Sequence, residues 1–115
     1  MKLHNWSCID KEQLNPHLAR QVVHSENLTV AKIFLTKGAI VPEHSHANEQ
    51  LTLLVEGKLK FIYPGRDQIV LAGQMIQTEP NVPHSVEVLE DSLAIDLFAP
   101  RREDWIRGDD AYLRK

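Results

Sequence analysis

Hydrophobic and polar residues alternate along short segments through most of the chain, and turn-forming residues interrupt them at close intervals. The alternating or β-branched segments are 18–25, 28–38, 50–57, 58–63, 67–73, 74–78, 84–89 and 92–99. Successive side chains of a β-strand point to opposite faces, so this pattern predicts strands. Many short strands with frequent turns are typical of an all-β sandwich or barrel.

The two ends of the chain differ from this middle part. Residues 1–17 are polar and mixed, and we expect an arm that docks on a sheet edge or on a partner. The only helical candidate is 101–108, where Pro100 marks the first turn and Gly108 fits the C-terminal stop. We therefore expect a single domain over 1–115, with an arm (1–17), a barrel (18–99) and a C-terminal helix and tail (100–115).

Composition excludes several classes of protein. A chain of 115 residues is long enough for one core. The formal net charge of −3 gives no reason to expect nucleic acid or an anionic membrane. The single Cys8 cannot form an internal disulfide, and neither a membrane span nor a signal-peptide core is visible, so we expect a cytoplasmic protein.

Two histidines two residues apart, in the stretch GAIVPEHSHANEQLTLLVEG, suggest a metal site. On a strand His44 and His46 would project from the same face, and neutral imidazole suits Zn, Cu, Fe and Ni. Two ligands rarely suffice. Glu49 or Gln50 follows a short bend, and His84 follows a turn that contains proline. The alternative is a solvated polar strand.

The spacing around these residues resembles the two sequence motifs of the cupins. The first motif comprises Gly38, His44, His46, Gln50 and Gly57, and the second runs from Gly73 to His84. The resemblance implies a double-stranded β-helix, a small barrel whose mouth holds one divalent transition metal ion. Nickel, zinc, iron and manganese all remain possible.

Two positions depart from the usual cupin motifs. Asn81 replaces a glycine in the turn before His84, and asparagine tolerates positive φ better than most residues. Gln50 replaces a glutamate, and its neutral carbonyl would leave the ion a stronger Lewis acid for an anionic ligand. We prefer Gln50 to Glu49 as the fourth ligand, because Glu49 would point to the opposite face of the strand.

A carboxylate near the C-terminus raises a second question. In LAIDLFA, Ala94, Asp96 and Phe98 share one face of a predicted strand. Burying a carboxylate there is costly unless it is paired. Asp96 is therefore either a surface residue pinned by Arg101 or Arg102, or a pocket acid/base whose pKa is tuned by burial.

The segments HSHANEQ and DSLAIDLFAPRREDW further resemble the pectin-degradation cupins of the KdgF type. That family linearises 4,5-unsaturated monouronates released from pectin or alginate, so the resemblance implies an enzyme with a small acidic sugar as substrate. It implies metal ligation by His44, His46, Gln50 and His84. It also implies Asp96 as acid/base, Phe98 as a substrate-packing residue, and Arg102 as a carboxylate-binding residue of the active site.

Other readings remain open. Three imidazoles and an oxygen ligand could bind Fe(II) in a dioxygenase. A non-catalytic cupin that binds a sugar or small acid, and a structural barrel with an incidental metal, are further alternatives. The apolar face of Leu51, Leu53 and Val55 is more than a small barrel can hide, which favours a homodimer, and dimers are usual among the cupins that the chain resembles.

Overall fold

The computed structural model describes all residues, 1–115, as an eight-stranded antiparallel fold. The strands are β1 (Glu12–Asn15), β2 (Leu18–His24), β3 (Thr29–Leu35), β4 (Ile40–His44), β5 (Glu49–Tyr63), β6 (Arg66–Leu71), β7 (Met75–Thr78) and β8 (His84–Ala99). One short helix, α1, spans Glu103–Ile106, and single 3-10 turns lie at Trp6–Cys8 and Ala111–Leu113. The all-β prediction with a short C-terminal helix is confirmed. No helix is long and apolar enough to cross a membrane.

Two long strands, β5 and β8, connect the whole fold. They pair with each other from Glu49↔Ala99 to Ile62↔Ser85. The first part of β5 also pairs with β7 and its second part with β6, while β8 pairs first with β4 and then with β3. Residues at either end of these two strands are thereby held in fixed register with both halves of the fold.

Both long strands continue past positions where the sequence predicted a break, and β5 does so through a glycine bend. The sequence predicted a break at Gly57 and separate strands at 84–89 and 92–99, which is wrong. Gly57 adopts a φ of 96°, and the register with β8 shifts on both sides of it. A Cβ at this position would collide with Ser92, whose hydroxyl accepts a hydrogen bond from the Lys58 amide. The strand therefore bends tightly at Gly57 and continues.

The inward faces of the strands form one main apolar core. Its most buried members are Leu18, Leu54, Leu59, Phe61, Val70, Val88 and Ala94, each only 2% exposed. They alternate with more exposed residues, as the period of two requires. This core fills one end of the barrel and leaves the polar inward residues to the other end.

The two chain ends pack against the barrel. Within the predicted arm, β1 pairs with β2 and buries Leu14 in the core. The C-terminal helix covers only four residues of the predicted 101–108. It begins at Glu103, no side chain caps its N-terminus, and it stops as expected near Gly108, whose φ is 83°.

Candidate metal centre and active site

Three imidazoles meet at the polar end of the barrel. His44 ends β4 and His84 begins β8, and the two residues are paired across the strands. The ligand atoms that His44, His46 and His84 offer all lie within 4.8 Å of one another. The centroids of the His44 and His84 rings are 4.3 Å apart, and those of His46 and His84 are 5.2 Å apart. Such a cluster is compatible with one divalent metal ion.

His46 reaches this cluster by a different route from the one predicted. It lies beyond the end of β4, just before the bend at 47–48, so the argument from a shared strand face is wrong for this residue. Its backbone carbonyl accepts a hydrogen bond from the Asn81 amide at 2.8 Å. Asn81 has a φ of 66°, as its place in the glycine position of the second motif predicted. The turn before His84 therefore holds the loop that carries His46.

Backbone carbonyls orient all three rings. Each Nδ1 atom lies within hydrogen-bonding distance of a backbone carbonyl oxygen. The distances are 2.8 Å from His44 to the Pro42 oxygen, 3.0 Å from His46 to the Asn48 oxygen, and 2.8 Å from His84 to the Val82 oxygen. A carbonyl can only accept, so each Nδ1 carries the proton and each Nε2 keeps its lone pair. The Nε2 atom of His84 is buried and has no hydrogen-bond partner. This is the arrangement that a metal ligand requires.

Gln50 adds a fourth donor atom beside the imidazoles. Its Oε1 atom lies 3.0 Å from the Nε2 atom of His46. Its own Nε2 atom donates to the Thr52 hydroxyl at 2.9 Å, which fixes the direction of the amide. Two acceptor atoms at this distance repel each other unless a cation lies beside them, so the donor set fits a metal ion. Glu49, the alternative ligand, is exposed on the other face.

The imidazoles are neutral near neutral pH. Burial lowers the pKa of His44 to about 4, and the neighbouring His84, His46 and Arg102 act in the same direction. Burial also lowers the pKa of His46 to about 4 and lowers the pKa of His84. Neutral imidazole is the form that binds metals, so these side chains need lose no proton to act as ligands.

Asp96 lies next to this centre on the inward face of β8. It pairs with Thr52 of β5, and the Thr52 hydroxyl donates to its Oδ1 atom at 2.5 Å. A continuous path of hydrogen bonds thus runs from Gln50 through Thr52 to the carboxylate. Burial raises the pKa of Asp96 to about 6, against the opposing effects of the Thr52 hydrogen bond and the Arg102 charge.

A cavity joins the polar end to the apolar core. Its volume is about 70 Å³. Its polar or aromatic lining includes His44, Gln50, Thr52, His84, Asp96, Phe98, Arg102, Trp105 and Tyr112. Three of the four predicted metal ligands and all three predicted active-site residues therefore line one space. Carboxylate, guanidinium and imidazole groups in one apolar cavity can bind and exchange protons with a small acidic molecule.

Arg102, rather than Arg101, faces the cavity, but it is more constrained than expected. It is 1% exposed, and its Nε and Nη2 atoms donate to the Asp104 carboxylate at 2.9 and 2.7 Å. Nη2 also donates to the Tyr112 hydroxyl at 3.0 Å. The edge formed by Nε and Nη2, which could bind a substrate carboxylate with two hydrogen bonds, is thus occupied by Asp104. Nη1 is the guanidinium nitrogen without a protein partner. The Arg101 side chain is 38% exposed and pairs with Glu103.

Sequence reasoning missed several residues of the site. Thr52 links Gln50 to Asp96, and its place two residues after Gln50 on the same strand face could have indicated it. Asp104 and Tyr112 carried no such signal, because they lie in a short helix and a tail without periodicity.

Comparison with known proteins now places the chain in a family. Residues 32–98 match the family described as "Cupin domain", and the chain belongs to the cupins. It is 29% identical over 98 residues to the pectin degradation protein KdgF of Dickeya dadantii (strain 3937), a match that covers 83% of this chain and 89% of that protein. The predicted resemblance to cupins of the KdgF type is thereby confirmed.

Solved structures agree with this assignment. The structure of KdgF from Halomonas sp. is 28% identical with a TM-score of 0.77, over 84% of this chain and 92% of that one. An RmlC-like cupin from Shewanella frigidimarina NCIMB 400 is 27% identical with a TM-score of 0.84, over 91% of this chain and 96% of that one. The cupin fold is confirmed.

Proposed function

We propose that this protein is a metal-dependent cupin that converts 4,5-unsaturated monouronates, derived from pectin or alginate, into linear keto acids. The observation that carries the proposal is the hydrogen-bonded path from Gln50 through Thr52 to Asp96. This path holds a carboxylate beside a cluster of metal-binding type, in one cavity. The similarity to a pectin degradation protein supports the choice of substrate.

His44, His46, Gln50 and His84 would hold one divalent transition metal ion such as nickel, zinc, iron or manganese. When bound, the ion supplies Lewis-acid stabilisation of negative charge on oxygen. The protein contributes the fixed ring orientations and the fixed amide, so the donor atoms need little rearrangement.

Asp96 is the proposed acid/base of an isomerisation. The carboxylate takes the proton from the anomeric hydroxyl O1, and the electron pair forms the C1 aldehyde as the bond from C1 to the ring oxygen breaks. The ring oxygen keeps the electrons of that bond and becomes an enolate oxygen on C5. The enolate collapses to a ketone at C5 as C4 takes up a proton from the Asp96 carboxyl. No atom is gained or lost, and Asp96 returns to its starting state.

Two further side chains bind the substrate in this proposal. Arg102 offers its Nη1 atom to the substrate carboxylate, while Asp104 holds the rest of the guanidinium in place. Phe98 is 2% exposed, with its ring 5.7 Å from that of His46 and 5.2 Å from that of Trp105. Its apolar face would pack on the sugar ring and exclude water from the enolate.

The proposal is tested by the ultraviolet absorbance of the conjugated C4–C5 double bond. Metal-loaded protein should remove this absorbance faster than the spontaneous reaction does, and Asp96→Asn should not. Asp67→Asn is the matched control, since Asp67 is a surface carboxylate paired with Lys60. Wild-type activity in Asp96→Asn would remove Asp96 from its role. No acceleration by wild type would contradict the proposed reaction, and oxygen consumption by the iron-loaded protein would favour the dioxygenase.

We also propose that the protein acts as a homodimer. Leu51, Leu53 and Val55 point outward from β5, and their cross-strand neighbours Ile95 and Met75 share this face. Met75 is 63% exposed and Val55 is 50% exposed. Sedimentation should give twice the chain mass of 13.1 kDa, and Leu53→Glu should give the single chain mass. A monomeric wild type would contradict the dimer.

A further inference from the structure

The C-terminal residues 109–115, here called the strap, fold back across the polar end of the barrel. Asp110 anchors the strap, because its carboxylate is 3% exposed and accepts a hydrogen bond from Arg20 at 2.5 Å. After this anchor the chain makes one 3-10 turn, Ala111–Leu113. The strap forms no strand pairing with the barrel, so only side-chain contacts hold its outer part down.

These outer contacts are few and partly hydrated. The Arg114 guanidinium donates to Glu12 at 2.5 Å and to the Asp110 carboxylate at 2.9 and 3.2 Å, and the Arg114 and Glu12 side chains are 42% and 45% exposed. The Asn15 amide donates to the carbonyls of Leu113 and Lys115 at 2.9 and 3.1 Å. Exposed ion pairs contribute little to stability because water competes for both charges. Opening of the part beyond Asp110 breaks these contacts and those of Tyr112 and Leu113 but no strand pairing, and therefore costs much less than unfolding of the barrel.

Tyr112 is the residue through which the strap reaches the pocket. Its ring stacks on His44 with the centroids 4.5 Å apart. Its hydroxyl accepts hydrogen bonds from Arg102 at 3.0 Å and from Trp105 at 3.4 Å. Tyr112 and Leu113 line the cavity and pack against the core. With the strap in place, the mouth of the barrel is covered by side chains that the sequence pattern did not indicate.

The covered cavity is too small for the proposed substrate. Its volume is about 70 Å³, whereas pockets for small organic ligands typically measure about 300–1,000 Å³. Tyr112 occupies the space over His44 and Arg102, which are the groups that the substrate has to meet. Entry of a six-carbon acid therefore requires that Tyr112 moves, and the weakly held outer strap is the element that can carry it.

We propose that the strap is a gate, which opens about Asp110 to admit metal ion and substrate and closes again with Tyr112 as its seal. As regards the substrate, the inference rests on the proposed function. As regards access to the imidazole cluster, it is independent of any reaction. Because the Tyr112 hydroxyl binds Arg102, the closed strap also positions the guanidinium that is expected to bind the substrate carboxylate.

The rates of zinc release and uptake report how often the gate opens, and they can be measured in the absence of substrate. Arg114→Ala removes the exposed contact to Glu12 together with the hydrogen bonds to the Asp110 carboxylate, and Arg107→Ala is the matched control, because Arg107 pairs only with neighbouring Asp109 on the surface. Zn²⁺ release into excess chelator and Zn²⁺ uptake by the stripped protein are followed by stopped flow. A gate predicts that both rates rise by the same factor in Arg114→Ala, about two- to fivefold. The dissociation constant should then stay unchanged, and Arg107→Ala should match wild type.

Other results would overturn the gate. Wild-type rates in Arg114→Ala would show that the strap does not limit access. Faster release together with weaker affinity would show that the strap instead supports the ligand geometry. Tyr112→Ala should raise both rates further than Arg114→Ala, and a smaller effect would exclude Tyr112 as the seal.

Thiol labelling provides a second test that needs neither metal nor turnover. Leu113→Cys is made in a Cys8→Ser background, since Cys8 is the only native thiol and is exposed. A gate predicts that a maleimide labels position 113 much faster than the protein unfolds globally, and that Arg114→Ala raises this rate by the factor seen for zinc exchange. Labelling no faster than global unfolding would overturn the proposal. Labelling as predicted in a protein without activity would refute only the proposed function.

Discussion

Replacing Thr52 with valine tests whether the path from Gln50 to Asp96 organises the site. The two side chains have nearly the same shape, but valine has no hydroxyl. Thr52 is 2% exposed, accepts a hydrogen bond from Gln50 at 2.9 Å and donates one to Asp96 at 2.5 Å. The variant leaves the Gln50 amide free to rotate, so that its oxygen no longer points consistently towards the imidazoles.

The expected magnitude has two parts. A buried N–H group of Gln50 that loses its acceptor costs about 1–3 kcal/mol of the free energy of unfolding. For a domain of this size each kilocalorie corresponds to about 4 °C, so the melting temperature should fall by about 4–12 °C. Loss of a group that orients a metal ligand typically lowers metal affinity by about 10- to 100-fold. Calorimetric titration with Zn²⁺ and thermal melting of the stripped protein measure the two effects separately.

Thr78→Val is the matched control. Thr78 is 1% exposed and is the cross-strand neighbour of Gln50, but its hydroxyl bonds to the Tyr63 hydroxyl at 2.7 Å and takes no part in the path to Asp96. We expect a comparable loss of stability and a Zn²⁺ affinity close to that of wild type. Equal losses of Zn²⁺ affinity in the two variants would refute the reasoning, because the loss would then follow from general destabilisation.

Two further predictions concern stability. Asp110→Asn should lower the free energy of unfolding at neutral pH by about 3 kcal/mol, because it leaves the buried Arg20 guanidinium with only the half-exposed Glu12 carboxylate, 3.3 Å from its Nε atom, as an anionic partner. Hydrogen bonds from Arg114 and Arg20 hold the pKa of Asp110 below its ordinary 3.8, so this contribution is complete above pH 3.8 and disappears as the pH falls further. Urea titrations of wild type and variant should therefore converge in acid, and a constant difference would contradict the ion pair. Gly57→Ala should cost about 3 kcal/mol in the same assay, since the φ of 96° and the contact with Ser92 both oppose a Cβ. Gly65→Ala, with a φ of 75° and open space around it, should cost about 1 kcal/mol, and equal costs would show that the contact at Gly57 is unimportant.

The motifs predicted the placement of the site because their geometry is local. The short spacing from His44 to Gln50 keeps these side chains close together at the barrel mouth. Strand alternation correctly predicted that Asp96 and Phe98 point inward, because a side chain on a regular strand can lie on only one of two faces.

The features that the sequence did not reveal depend on partners far along the chain. Tyr112 acquires its place through contacts with His44 and Arg102, and no local pattern encodes either contact. The occupied guanidinium edge of Arg102 similarly depends on how the short helix begins. The bend at Gly57 was read as a strand end, because glycine in a sequence signals a stop and a tight bend equally well.

The pairing of β5 with β8 has a consequence for how the protein is made. Gln50 lies opposite Phe98, and His44 lies opposite His84, so the contacts of the first motif with His84 and with β8 join segments widely separated along the chain. Such pairings form late and slowly, since loop closure must precede them. The donor set therefore exists only in the finished barrel. An ion that binds only this state adds about 4 kcal/mol to its stability at a thousand times the dissociation constant. Loss of such an ion would thus lower the stability of the barrel as well as empty the site.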